Sequence, residues 1–244
     1  MFMNKINMQE QYFKFYEITE NDEKYAEYLK FRHLIFVKEL QNIAPQKENN
    51  STAVETDQFD SYSRHVIAIH NATGIVAGCA RLILPNPEGL NTESRYCIEE
   101  HPYAKQQKKN TGEISRMAIS PDFRRRKEDD KNLIEGDPNR EIASIDIATS
   151  SDSNKRNYQP GLIMGMYREI YFIAQQENIN FCIAAMDQRF SRLLIKSGYP
   201  FHPIGPVNPN LTPLRRPFII SQEEMKTKLA QLHPELMAFM QQKN

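Results

Sequence analysis

The stretch Gly112-Glu113-Ile114-Ser115-Arg116-Met117-Ala118-Ile119-Ser120 alternates polar and apolar side chains and is stopped by Pro121. Period-two alternation is the mark of a half-buried β-strand, and a proline ends it by removing a ladder donor. On that pattern Glu113 and Ser115 share one face, and Arg116 shares the other with Ile114. Upstream, residues 65–70 and 75–84 are β-rich runs around the turn Asn71-Ala72-Thr73-Gly74, which makes a hairpin. Downstream, residues 161–176 are apolar around much of a helical circumference, as in a helix buried on a sheet, and 180–186 form a short apolar strand.

Residues 12–18 predict a strand feeding a helix over 22–40, whose stripe Tyr25, Leu29, Arg32, Phe36 and Leu40 returns every three or four positions. Residues 42–56 lack periodicity, and 85–110 predict a loop with at most a helical turn around 96–103. Residues 191–196 predict a short helix closed by Gly198, 217–220 a strand, and Ser221 with Glu224 three residues on opens a last helix. The fold class is α/β or α+β: one domain, 1–244, on a mixed sheet, with a charged insertion at about 121–157 and a C-terminal strand–helix extension at about 208–244. The insertion holds almost no apolar material between 127 and 157, too little to offset its ordering entropy, so mobility is expected there.

A chain of 244 residues, 40% hydrophobic and 25% charged, is large enough to bury roughly 70% of its unfolded surface. Lys+Arg 31 balances Asp+Glu 31, which disfavours a nucleic-acid partner. With no run of 18 apolar residues and a polar stretch after Ile6, neither a membrane segment nor a signal peptide is expected, and the location expected is cytoplasmic. Cys79, Cys97 and Cys182 lack CxxC spacing and suit reduced core fillers; the histidines show no metal spacing, so no metal site is expected.

Three constellations carry chemistry. Arg32 with Phe36 one turn later is either a surface arginine over a core ring or a cation and an aromatic on one site. Asp57-Gln58-Phe59-Asp60 is either a solvated turn or a pair of acidic ligands. Glu113, Ser115 and Arg116, joined by Arg81 on the preceding strand, form either a cross-strand ion pair or a reactive face.

The ordered set Arg32-x3-Phe36, Asp57-x2-Asp60, Arg81, Glu113-x2-Arg116 resembles the acyl-homoserine-lactone synthases, a branch of the GNAT N-acyltransferases. It resembles more closely the N-acyl amino acid synthases and the acyltransferases associated with the PEP-CTERM/exosortase system. Phe31 to Phe36, Ser63-Arg64-His65, Gly78 to Pro85, Glu113 to Ser120 with Phe123 to Arg126, Gly198 to Pro206 and Arg215-Arg216-Pro217 carry the likeness, which spans residues 12–239. It implies a GNAT-like twisted mixed sheet flanked by helices, in which the parallel strands 112–120 and 180–186 splay apart to admit a pantetheine arm. The implied activity is transfer of a medium or long fatty acyl group from a phosphopantetheine thioester, on acyl carrier protein or CoA, to a small-molecule amine such as an amino acid. No permanently bound cofactor is implied.

Within that resemblance Glu113 is the base, and backbone N–H groups of a bulged strand near Met117 to Ile119 hold the oxyanion. Arg32, Phe36, Asp57, Asp60, Arg81, Ser115 and Arg116 surround the acceptor, or instead form a structural network. Arg124, Arg125 and Arg126 stand where a glycine-rich pyrophosphate loop is common and suit a single phosphate and an acidic carrier-protein surface. The alternatives are a lactone synthase using S-adenosylmethionine, disfavoured by Trp 0, and a non-catalytic binding module.

Overall fold

The computed structural model describes residues 12–41, 53–99, 101–103, 108–124, 159–211 and 213–242. Strands β1 (Phe13–Ile18), β2 (Ser63–His70), β3 (Val76–Ile83) and β4 (Thr111–Ile119) run antiparallel to their neighbours. Helix α3 (Gln159–Gln176) then crosses to β5 (Phe181–Met186), which lies parallel to β4. With β6 (His202–Pro203) and β7 (Arg216–Ser221) the described residues form a sheet of 7 strands in the order β1-β2-β3-β4-β5-β7-β6. In the strand–helix segment after 208, β7 pairs along the whole of β5, and Ser221 Oγ caps α5 (Gln222–Leu232) by accepting the N–H of Glu224. Pro234 opens a further helix, α6 (Pro234–Gln241).

Alternation in β3 sorts the two faces. Gly78, Ala80 and Leu82 turn to α3, whose residues from Leu162 to Ala174 share one core with Phe13, Phe15 and the apolar side of α6. Cys79 and Ile83 turn the other way, Cys79 toward α1 (Tyr25–Arg32) and Ile83 toward Leu90 beside α2 (Asn91–Arg95). We call this second side the outer face.

Three expectations are corrected. After Arg32 the N-terminal helix widens into a π-helical stretch, His33–Glu39, so the buried set is Tyr28, Phe31, Arg32, His33, Ile35, Phe36 and Val37; Tyr25, Leu29 and Leu40 are only partly covered. The extra residue per turn brings consecutive side chains inward that a 3.6 period would expose. The short helix of the long loop is Asn91–Arg95, ahead of the expected turn at 96–103. Helix α4 (Gln188–Lys196) begins three residues before 191, because the Asp187 carboxylate accepts the N–H groups of Arg189 and Phe190. Gly198, at φ +92, closes α4 as expected. Of the charged insertion, residues 125–157 lie outside the described residues.

Gly165 lets α3 press onto β1: a Cβ there would stand 2.4 Å from the Phe15 ring. Gly165→Ala gains helix propensity yet overpacks this contact, so a net loss of roughly 1–3 kcal/mol in urea unfolding is expected. A stabilised variant would show that α3 does not touch the sheet this closely.

Candidate active site

β4 and β5 pair only from Thr111↔Phe181 to Glu113↔Ile183. Beyond Glu113 the strands part, and a cleft of about 590 Å³ opens between them, lined by Ser115 to Ile119 on one side and Ala184 to Met186 on the other. The small side chains Ala184 and Ala185 leave its wall open.

What turns β4 aside is a β-bulge. Ser115 stands opposite Arg81 and Ala118 opposite Cys79, so Arg116 and Met117 together face the single residue Ala80. Arg116 takes φ 50, a left-handed conformation that costs a non-glycine residue about 1–3 kcal/mol unless its surroundings fix it. They do. The Cys79 thiol donates to the Arg116 carbonyl at 3.0 Å, and burial, the leading cause, pushes that thiol up to about 12, so it stays protonated as a donor. The Arg116 guanidinium meets Glu55 at 2.9 Å and Asp57 at 2.7 Å and lies over the Phe36 ring at 5.4 Å.

Those two contacts are part of a closed ring. Arg32 reaches Glu55 at 2.6 Å and Asp60 at 2.8 Å, and Arg81 reaches Asp60 and Asp57, both at 2.6 Å. Arginine and carboxylate alternate around the circuit Arg32, Glu55, Arg116, Asp57, Arg81, Asp60. Arg32 and Arg81 are fully buried, Glu55 is 1% exposed, and Arg81 also donates to Ser115 Oγ at 3.0 Å. Burial alone would raise the Asp57 and Asp60 carboxyls, but hydrogen bonds and charge from Arg81 and Arg32 outweigh it and hold both below their usual range.

Glu113 stands at the fork, where the last β4–β5 pair gives way to the cleft. It is 2% exposed; one carboxylate oxygen accepts the Thr92 backbone N–H at 2.7 Å, at the start of α2, and the other faces Asn91 Nδ2 at 3.4 Å. Desolvation dominates those hydrogen bonds and raises its pKa.

Residues 31–131 match the family of the acetyltransferase (GNAT) domain. The chain superposes with a TM-score of 0.57 on TofI in a ternary complex with an inhibitor and MTA, at 19% identity over 92% of this chain and 99% of that one. The fold is that of the GNAT acyltransferases. The GNAT architecture is shared with BjaI, a CoA-dependent acyl-homoserine lactone synthase with SAM and isopentyl-CoA (13% identity, TM-score 0.54, 93% of this chain and 98% of that one). It is shared also with FeeM, an N-acyl amino acid synthase from uncultured soil microbes (13% identity, TM-score 0.52, 90% of this chain and 96% of that one). No curated protein matches the chain by sequence.

In this GNAT sheet the expected site residues fall into three places. Arg32, Asp57, Asp60, Arg81 and Arg116 meet in the ring, with Ser115 bonded to it. Phe36, Ser115, Arg116, Met117, Ile119 and Glu113 line the cleft. Arg124 lines it too, with Nε on the Ile119 carbonyl at 2.6 Å and a contact to Glu39, while Arg125 and Arg126 lie outside the described residues. One placement is corrected: strict alternation sends Arg116 to the face of Ile114, but the bulge shifts the register and turns it to the side of Ser115 and Arg81, on the outer face. Glu55 was missed. It lies at the end of an aperiodic loop, and its one signal was arithmetic: three arginines against only two candidate acids.

Removing one carboxylate leaves two buried guanidiniums short of a partner. Glu55→Gln is expected to lose about 3–5 kcal/mol in urea unfolding at pH 7; a loss under about 1 kcal/mol would mean that the ring is not closed. Burial also pushes His65, bonded to the Tyr28 hydroxyl, down to about 4 from 6.5. His65, Asp57 and Asp60 all bind protons more readily unfolded than folded. Their contribution to stability is therefore full above about pH 6.5 and falls with acidification, first as pH drops from 6.5 toward 4 and further below 3.8, while Glu113, with its pKa raised, acts in the opposite sense as pH rises above 4.5.

Proposed function

We propose that the chain is an N-acyltransferase that moves a medium or long fatty acyl group from an acyl-carrier-protein thioester to the amine of an amino acid. The observation that carries this is the fork itself: a parallel pair that separates after Glu113, beside a buried carboxylate. A thioester threaded between the strands would present its carbonyl to β4, whose edge has no partner in β5 beyond that point. Amides of the bulged stretch from Met117 to Ile119 are thereby available to hold an oxyanion.

Amide formation has two requirements. The acceptor ammonium must lose a proton, and the tetrahedral intermediate must be stabilised before the thiol leaves. Glu113 takes the first proton, directly or through a water, and gives it up to solvent; the C–N bond forms, the C–S bond breaks, and the second proton lost by the nitrogen passes through Glu113 to the departing sulfur. A carboxylate whose pKa burial has raised is a better base than one in water. The ion ring holds the bulge in place while this happens. Arg124, near the end of β4, suits the phosphate of the pantetheine arm.

A second acceptor is favoured by one observation: BjaI, which shares this fold, has SAM and isopentyl-CoA in its structure. A lactone synthase using S-adenosylmethionine is that alternative, and the absence of tryptophan weighs against it, since those enzymes typically place one after the first helix.

Lipid extracts of an expressing host, analysed by mass spectrometry, separate the readings. New N-acyl amino acids support the transferase, lactones the alternative, and an unchanged lipid profile a binding module without catalysis. Glu113→Gln is expected to lower turnover roughly 10² to 10⁴-fold in a folded protein. The wild-type kcat/KM should rise with pH through an apparent pKa above that of an exposed glutamate, and that limb should vanish in the variant. An unaltered rate or limb would remove Glu113 from the chemistry.

A further inference from the structure

Glu113 stands in the sheet between two isoleucines: Ile83 is its partner on β3 and Ile183 its partner on β5. Neither side chain can hydrogen-bond a carboxylate. Charge reaches Glu113 from Arg81 on β3, which is already bonded to Asp57 and Asp60, and its own charge is felt by Tyr96 at the end of α2, whose phenol burial keeps protonated. The donors that touch the carboxylate come from α2, where Thr92 gives its backbone N–H and Asn91 stands farther off.

The local structure keeps that grip in place. Glu93 turns back to accept the Leu90 N–H at 3.1 Å, the Tyr96 N–H reaches the Thr92 carbonyl at 3.0 Å, and Leu90 is buried with Ile83, Ile183 and Ile219. One polar group is left over. Thr92 is fully buried, and its Oγ1 has no hydrogen-bond partner among the described residues. The side chain lies close enough to the Glu113 carboxylate to favour its charged form, yet the hydroxyl is outside bonding geometry. A buried hydroxyl without a partner gives up its hydration for no return, and valine has the same outline without that loss. Packing therefore does not explain the hydroxyl.

We propose that Thr92 is a positioning residue for Glu113: its hydroxyl donates to the carboxylate while Glu113 is charged and lets go when Glu113 takes a proton. This rests on the acyl-transfer reading above, in which Glu113 is the base. Threonine in a helix divides between two χ1 rotamers, so one bond rotation gives the hydroxyl a second position. With N–H and O–H of one residue on the carboxylate, the base is held aimed until the acceptor ammonium arrives, and the O–H contact is released as the proton crosses. The hydroxyl thus works against burial and keeps Glu113 ionised at a lower pH than it would otherwise reach.

The test reads the ionisation of Glu113 apart from turnover. In the full chain, labelled with carbon-13 at its glutamate carboxyls, the Glu113 resonance is identified by its loss in Glu113→Gln and followed against pH. Thr92→Val is expected to raise the midpoint by about one pH unit, a tenfold change in the ionisation constant, and Thr92→Ser to stay near the wild type. Thr92→Ala takes the place of the valine variant if valine does not fold. An unmoved midpoint in the variant that lacks the hydroxyl, or a serine variant that behaves like it, overturns the assignment. In turnover, the acid limb of kcat/KM should climb with the midpoint and return in Thr92→Ser, which a merely structural role would not produce. A moved midpoint in a chain that transfers no acyl group from any thioester would sink the transferase reading and leave the pairing of Thr92 with Glu113 standing.

Discussion

Three guanidiniums buried without partners would each cost the fold several kcal/mol, and so would three carboxylates. Closed on one another they make a neutral circuit, and the rest of the site depends on that closure. Arg32 comes from the end of α1, Glu55, Asp57 and Asp60 from one loop, Arg81 from β3 and Arg116 from β4. The ring thus ties the N-terminal helix and an otherwise aperiodic loop to the middle of the sheet. It also holds Arg116 at its left-handed φ, and with it the bulge that turns β4 away from β5.

Much of this was legible in the residues. The hairpin, the alternating strand, the buried helix, the apolar strand β5 and the cap at Ser221 all follow from period and turn chemistry. The elements that escaped did so for physical reasons. The π-helical stretch breaks the 3.6 rule with side chains that are individually ordinary, and only the packing of His33, Ile35, Phe36 and Val37 against the sheet reveals it. A bulge leaves no mark in a sequence without glycine at the site, so Arg116 was assigned to the wrong side. Glu55 joins Arg32 and Arg116, residues far apart in the chain, which local patterns do not report.

The electrostatics divide the site into a silent part and a responsive part. The ring is neutral and mostly shielded, so a substrate meets little net field from it. Glu113 is alone at the fork, with its charge opposed by burial and supported by one strong hydrogen bond to Thr92. Such a group exchanges a proton at modest cost, whereas Asp57 and Asp60, each bonded to two arginines, do not. Carboxylates of the same chemical type are thereby given opposite tasks by their neighbours.

The brevity of the β4–β5 ladder has an energetic corollary for a visitor. Because the strands are already unzipped beyond Glu113, a group that enters the cleft has no interstrand rung to break on arrival. Entry releases solvent from the apolar part of the lining, around Ile163, Ala184 and Ala185. Each methylene buried there contributes about 0.8 kcal/mol, the same force that closes the core.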